Sequence, residues 1–155
     1  MRFLIITVLF FLLACSPLFC QEEPGGSLYE LQPGSTYQEG CVAPCKCAVR
    51  MYNLTGTFVL SKRAIQGGSA AFDLNCISWA AGSAAFRTVI TGNGKYTISG
   101  EKHRLALDLS INGRQASFDT GFVPGGADFP RLRINVDQGG KCRDRWIDII
   151  AAPGK

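Results

Sequence analysis

Three of the chain's seven cysteines fall within GCVAPCKC, residues 40 to 47. Thiols spaced as Cys41, Cys45 and Cys47 can ligate zinc, supply a nucleophile or close disulfides. Zinc usually takes cysteine pairs separated by two or four residues, often completed by histidine. Here the spacings are three and one, and the sole histidine, His103, lies far along the chain. A catalytic thiol needs a base within hydrogen-bond reach and a third group to orient that base. His103 is again the only imidazole, and its place in SGEKH reads as an exposed turn. Disulfides make neither demand. Pro44 fixes its own φ and bends the segment, so that neighbouring cysteines face different partners. The cluster therefore reads as a staple of two bridges joining Cys41, Cys45, Cys47 and Cys142, with the pairing open. A bridge from the cluster to Cys142 closes a loop of roughly 100 residues, for which chain entropy gives about 4.7 kcal/mol before strain.

Disulfides require an oxidising compartment, and the amino terminus provides a route to one. MRFLIITVLFFLLAC places Arg2 before an uncharged apolar run over residues 3–14. That run is shorter than the roughly 20 residues of a membrane-spanning helix and has the proportions of a signal-peptide core. LLAC, residues 12–15, resembles the bacterial lipobox, in which the cysteine, here Cys15, becomes the lipidated first residue. The rival cut follows Cys20. The expected organisation is a signal peptide over 1–20, a polar tether QEEPGG over 21–26 and one β domain over 27–155. Attachment to a membrane is expected only through lipid on Cys15. With Cys15 lipidated, six cysteines remain and three bridges are open to them. With the cut after Cys20, five remain, and Cys76, beside Phe72 and Leu74, is the expected spare, packed as a small apolar residue.

The elements that position these residues read as strands. No apolar repeat of helical period runs for any length; short alternating stretches separated by glycine turns dominate. LALDLSI-NG-RQASFDTG is the clearest, because Asn112-Gly113 suits a two-residue type I′ turn. It sets Leu109 opposite Ala116 and Leu107 opposite Phe118, with a polar set on the other face. A second hairpin is expected through a three-residue loop, Gln66-Gly67-Gly68, with Leu60 opposite Leu74 and Phe58 opposite Cys76. A third is expected at Asn93-Gly94, followed by a turn or bulge within residues 99–103. Leu132 and Ile134 share a face with Ile147 and Ile149. The fold class is all-β: an antiparallel sandwich or small meander barrel of about eight to ten disulfide-stapled strands.

Few residues promise chemistry. The glycines of TGNGK precede no helix and so cradle no phosphate. The aspartates are scattered, and no serine lies in a G-x-S-x-G elbow. A net charge of +4 without a basic run argues against nucleic acid. Two surface features stand out. GFVPGGADFP, residues 121–130, is a long loop carrying Phe122, Val123 and Phe129, which form either a binding loop or a plug for one end of the fold. Arg131, Arg133, Lys141, Arg143 and Arg145, beside Trp146, form either an anion-binding set or, as expected here, a solvated face paired with Asp144 and Asp148.

GSTYQEGCVAPCKC, GTFVL and FDTGFVPGGADFPRL together resemble an uncharacterised family of exported bacterial all-β domains. These carry a GC-x-x-PC-x-C segment early and a GG-x-x-FP segment late. The resemblance spans nearly the whole chain after the signal, sets the family's cysteines at Cys41, Cys45, Cys47 and Cys142, and leaves Cys76 as a departure. It implies export and fold and transfers no activity.

The expectation for function is an exported, non-catalytic binding or structural module, without cofactor or metal, secreted or lipid-anchored at the cell envelope, its partner another envelope protein or a small apolar ligand. The alternative is a calycin-like carrier, which requires an apolar cavity lined by Leu105, Leu107, Leu109, Phe118 and Leu132.

Overall fold

Every second side chain of LALDLSI is apolar, and in a pleated strand those side chains share one face. The computed structural model, which describes residues 25–155, shows this pattern resolved into ten strands. They are β1 (Gly26–Leu31), β2 (Thr36–Cys41), β3 (Arg50–Gln66), β4 (Ser69–Gly82), β5 (Arg87–Ser99), β6 (Lys102–Ile111), β7 (Arg114–Asp119), β8 (Val123–Pro124), β9 (Leu132–Asp137) and β10 (Arg143–Pro153). The expected signal peptide, Cys15, Cys20 and most of the expected tether lie outside the described residues.

All the ladders are antiparallel. β1 and β2 lie end to end in one lane, each pairing with β10 on one side and β3 on the other. From there the sheet runs through β4, β5 and β6 to β7, while β9 flanks β10 on its far side. The two outermost strands, β7 and β9, come back alongside each other, so the sheet wraps round its own core. A meander barrel, not a sandwich, is the outcome. Among the described residues no backbone ladder joins β7 to β9.

The inner face supplies the core. Leu105, Leu107, Leu109 and Ile111 of β6 alternate inward, and Ala116 and Phe118 of β7 meet them. Ile147, Ile149 and Ala151 of β10 face Val136, Ile134 and Leu132 of β9. The Asn112-Gly113 turn and its register stand as expected, with Ile111 opposite Arg114.

Two expected turns differ. Asn93-Gly94 makes no hairpin; β5 runs straight through it, with Asn93 opposite Asp108 and Gly94 opposite Leu107. The glycine is needed for close approach instead, since a Cβ on Gly94 would lie 2.5 Å from the Leu107 side chain. The chain reverses between Ser99 and Lys102, within the segment where a turn or bulge is required. The second hairpin uses a two-residue Gly67-Gly68 turn between Gln66 and Ser69, not a three-residue loop. A register shift between Lys62 and Ala64 then restores Leu60 opposite Leu74. Phe58 does not meet Cys76, because both strands change register there and Cys76 takes φ 56°. This bulge moves the inner face from Phe72 and Leu74 to Ile77, Trp79 and Ala81.

Leu107 is 1% exposed at the centre of this core. Leu107→Ala should cost about 2–5 kcal/mol, as buried leucine truncations do, read as a lowered urea midpoint at unchanged slope. A loss below about 1 kcal/mol would mean that the β6 inner face is not packed as described.

Candidate functional site, a charged mouth beside the disulfides

The inner faces of four strands change character at the same level. On β10 they read Ala151, Ile149, Ile147 and then the half-buried Arg145, with Arg143 exposed beyond it; on β3, Leu54, Tyr52 and then the exposed Arg50. On β2, Glu39 follows Tyr37, and Gln138 follows Val136 just beyond β9. The register stacks them as rungs: Ile147, Tyr37 and Tyr52 in one, Arg145, Glu39 and Arg50 in the next. Residues two apart along a strand share a face. The apolar interior thus opens into a charged mouth, a cleft of about 380 Å³ lined also by Gly40, Cys47, Ala48 and Asp144.

Its floor is polar. The Tyr37 hydroxyl, on a side chain only 1% exposed, donates to Glu39 Oε2 at 3.2 Å. Burial and then the Glu39 carboxylate push the Tyr37 phenol up to about 12, with Arg145 acting in the opposite sense. The hydroxyl therefore keeps its proton near neutral pH. Asp144 Oδ1 accepts the Arg145 backbone N–H at 2.8 Å, and Arg145 Nη1 donates to Gln138 Oε1 at 3.4 Å. The ion pairs among the described residues, Arg63–Asp73 and Arg104–Asp119, include none of the mouth arginines.

Sulfur holds the walls. Cys41–Cys47 folds the segment after β2 back on itself, with Cα atoms 5.2 Å apart. Cys45–Cys142 ties that segment to the β9–β10 connection across 97 residues, with Cα atoms 5.4 Å apart. The Val42 N–H donates to Cys142 O at 3.1 Å beside it. Gly40 permits the tight return, because a Cβ there would lie 2.7 Å from Val49 Cα. The four cysteines form the expected staple, and the structure decides the pairing. Such bridges belong to an oxidising, non-cytoplasmic location. Cys76 is disulfide-bonded as well, so it is not the spare thiol. The bulge carries it off the inner face that was to bury it, and Ile77 takes that face instead.

The other sequence candidates separate. Arg131, Arg133, Lys141 and Arg143 are exposed as expected, but Arg145 is half-buried on the inner-face row. Asp148 pairs with no arginine; it accepts from Thr36 at 2.8 Å, Gln38 at 3.1 Å and Asn135 at 2.6 Å. The 121–130 loop closes the opposite end of the barrel. Phe129 packs 4.8 Å from the Phe72 ring, and Val123 pairs with His103 through β8, while Phe122 stays half-exposed. Under that loop lies a feature the sequence reading missed. His103 is 4% exposed, not a solvated turn residue, and its Nδ1 lies 2.9 Å from the Tyr96 hydroxyl. A Cβ on Gly125 would lie 2.5 Å from the imidazole Nε2. The signal was available: His103 shares the parity of Leu105 and Leu107, and two glycines sit where a loop could cover it. The lining proposed for an apolar carrier, Leu105, Leu107, Leu109, Phe118 and Leu132, is packed into one core at 0–2% exposure. Among the described residues no group of three or more His, Cys, Asp or Glu is placed to hold a metal ion, and no helix is long and apolar enough to cross a membrane.

The bridges should contribute unequally. The chain-entropy relation gives about 4.7 kcal/mol for the loop closed by Cys45–Cys142 and about 2 kcal/mol for the short Cys41–Cys47 loop. Replacing Cys45 and Cys142 together by serine should therefore lower the unfolding free energy about twice as much as replacing Cys41 and Cys47, measured in denaturant. His103 adds a pH dependence, since burial lowers its pKa. The unfolded chain then takes up the proton first. This contribution is complete above about pH 6.5 and is lost as pH falls through that value towards the depressed folded pKa. Thermal melts between about pH 7 and 5 should show this slope in the native chain and a flatter one in His103→Gln.

No protein-family model, curated protein or solved structure matches the chain, so its functional reading rests on the barrel's own chemistry.

Proposed function

We propose that this chain is an exported, non-catalytic β-domain that serves as a binding or structural module at the cell envelope or outside the cell. Lipid on Cys15 anchors it if the signal is cut there. The observation that carries the reading is the Cys45–Cys142 bridge, which ties two connections 97 residues apart round one end of the barrel. A bridge across so long a loop contributes stability that a reducing cytosol would remove. It also holds polar side chains in fixed relation, as a site for a partner requires. The filled interior favours a partner met at the surface or the mouth over an apolar ligand carried inside.

Expression with the native amino terminus in a bacterial host, followed by fractionation and alkylation under denaturing conditions, tests this. The protein should appear in envelope or external fractions, with Cys41, Cys45, Cys47 and Cys142 protected from alkylation. Intact mass should show the signal removed, with diacylglycerol on the first residue if that is Cys15. Reduced protein retained in the cytosol would end the reading.

A further inference from the structure

Charges end the inner face of this barrel where it meets water, with Glu39 and Arg145 half-buried and Arg50 and Arg143 exposed, since full removal from water is costly unless charges are paired. Here Arg145 and Arg50 flank Glu39 from the strands on either side, and Arg143 joins them at the rim. Three guanidiniums thus share the cleft with two carboxylates. One carboxylate, Asp144, already accepts the Arg145 backbone N–H. Glu39 also takes the Tyr37 hydroxyl, which further divides its bonding among neighbours. Positive charge and N–H donors are left in surplus. Gln138 adds more, for its amide oxygen is occupied by Arg145 while its NH₂ group remains a donor.

We infer that this mouth is a binding site for an oxyanion-bearing ligand, a carboxylate or phosphate group entering between Arg50, Arg143 and Arg145. The inference rests on the binding-module reading above and names its ligand chemistry. Planar guanidinium forks match carboxylate and phosphate oxygens two at a time. A partly enclosed cleft also screens such pairs less than open water does. The mouths of β-barrels are a common place for small-ligand sites. The two bridges hold the cleft's walls before any ligand arrives, so little ordering remains to oppose binding. Glu39 has a defined part. It forms no ion pair with either flanking arginine, so it acts through its charge, lowering the positive potential that an incoming anion meets.

The test uses the oxidised chain with its bridges intact, titrated separately with inorganic phosphate, pyrophosphate and citrate at constant ionic strength. Sodium chloride and glycerol are the controls, and NMR of backbone and arginine Nε–H groups is the readout. Saturable shifts centred on Arg50, Arg145 and Gln138 are expected. Arg145→Gln and Arg50→Gln should each weaken binding about tenfold, equivalent to about 1.4 kcal/mol. Glu39→Gln should strengthen it, since that negative charge is removed. Response to citrate alone assigns the site to carboxylates, response to the phosphates alone assigns it to phosphate groups, and response to both supports a general oxyanion site. Thermal melts confirm that each variant is folded. If the arginines serve only to neutralise Glu39, Arg145→Gln lowers the melting temperature and no anion raises that of the native chain, which overturns the inference. Shifts that follow ionic strength alone, or that persist unchanged in the folded Arg145→Gln variant, overturn it too. An exported and fully bridged protein that fails these titrations removes this site but not the binding-module reading.

Discussion

β10 pairs with β1 and β2 along one edge and with β9 along the other, so the register of this one strand joins the two ends of the chain's meander. Its inner face carries Ile147, Ile149 and Ala151 into the core and Arg145 into the mouth. Because side chains alternate with a period of two, a slip by one residue would expose those apolar groups and turn Trp146 and Asp148 inward. Burial of the three apolar residues therefore sets Arg145 on the inner-face parity, while Arg143, at the strand's end, stays exposed. The charged mouth follows from the same ladder that makes the core.

The two ends of the barrel are treated differently by the chain. At one end, the 121–130 loop lays Phe129 on Phe72 and presses two glycines against His103. That end is filled by side chains, and its imidazole is held by the Tyr96 hydroxyl. At the other end Tyr37 and Tyr52 end the core beneath the cleft, and no aromatic side chain is among the described residues lining the cleft itself. Covalent bonds shape the connections there, and polar groups line the space between them. Shape at the mouth is thus set by sulfur and glycine, whereas shape at the plug is set by apolar packing. The difference matters for binding, because a cleft held by covalent links keeps its form when filled with water.

Irregularity in the long strands serves closure. β3 and β4 change register twice along their ladder, once near Arg63 and once near Cys76. A bulge bends its strand and increases local twist, which a sheet of long strands needs if it is to curl round a small core. Gly92 and Gly94 act in the same sense, since each lets β5 approach the backbone of β6 more closely than a side chain allows.

Much of this was legible in the sequence, because local alternation and turn chemistry are local properties. Leu107 and Phe118 had to meet once Asn112-Gly113 was read as a two-residue turn, and they do. The bridge cysteines were legible too: Cys41, Cys45 and Cys47 crowd within seven residues, Cys142 offered a remote partner, and the expected signal peptide pointed to an oxidising compartment. Asn93-Gly94 misled for a physical reason: the same two residues suit a tight turn and a close crossing of strands, and only the neighbour decides which. Cys76 misled because a bulge changes which parity is inside. The mouth was out of reach. Arg145 looks like surface decoration in one dimension, and its inward placement depends on a ladder with Glu39, about 100 residues away in the chain. Sequence by itself determined which faces are apolar and which segments must turn, because those depend on neighbours along the chain. Tertiary structure alone decided which cysteines join and which charges converge, because these depend on the distances that closure of the barrel imposes.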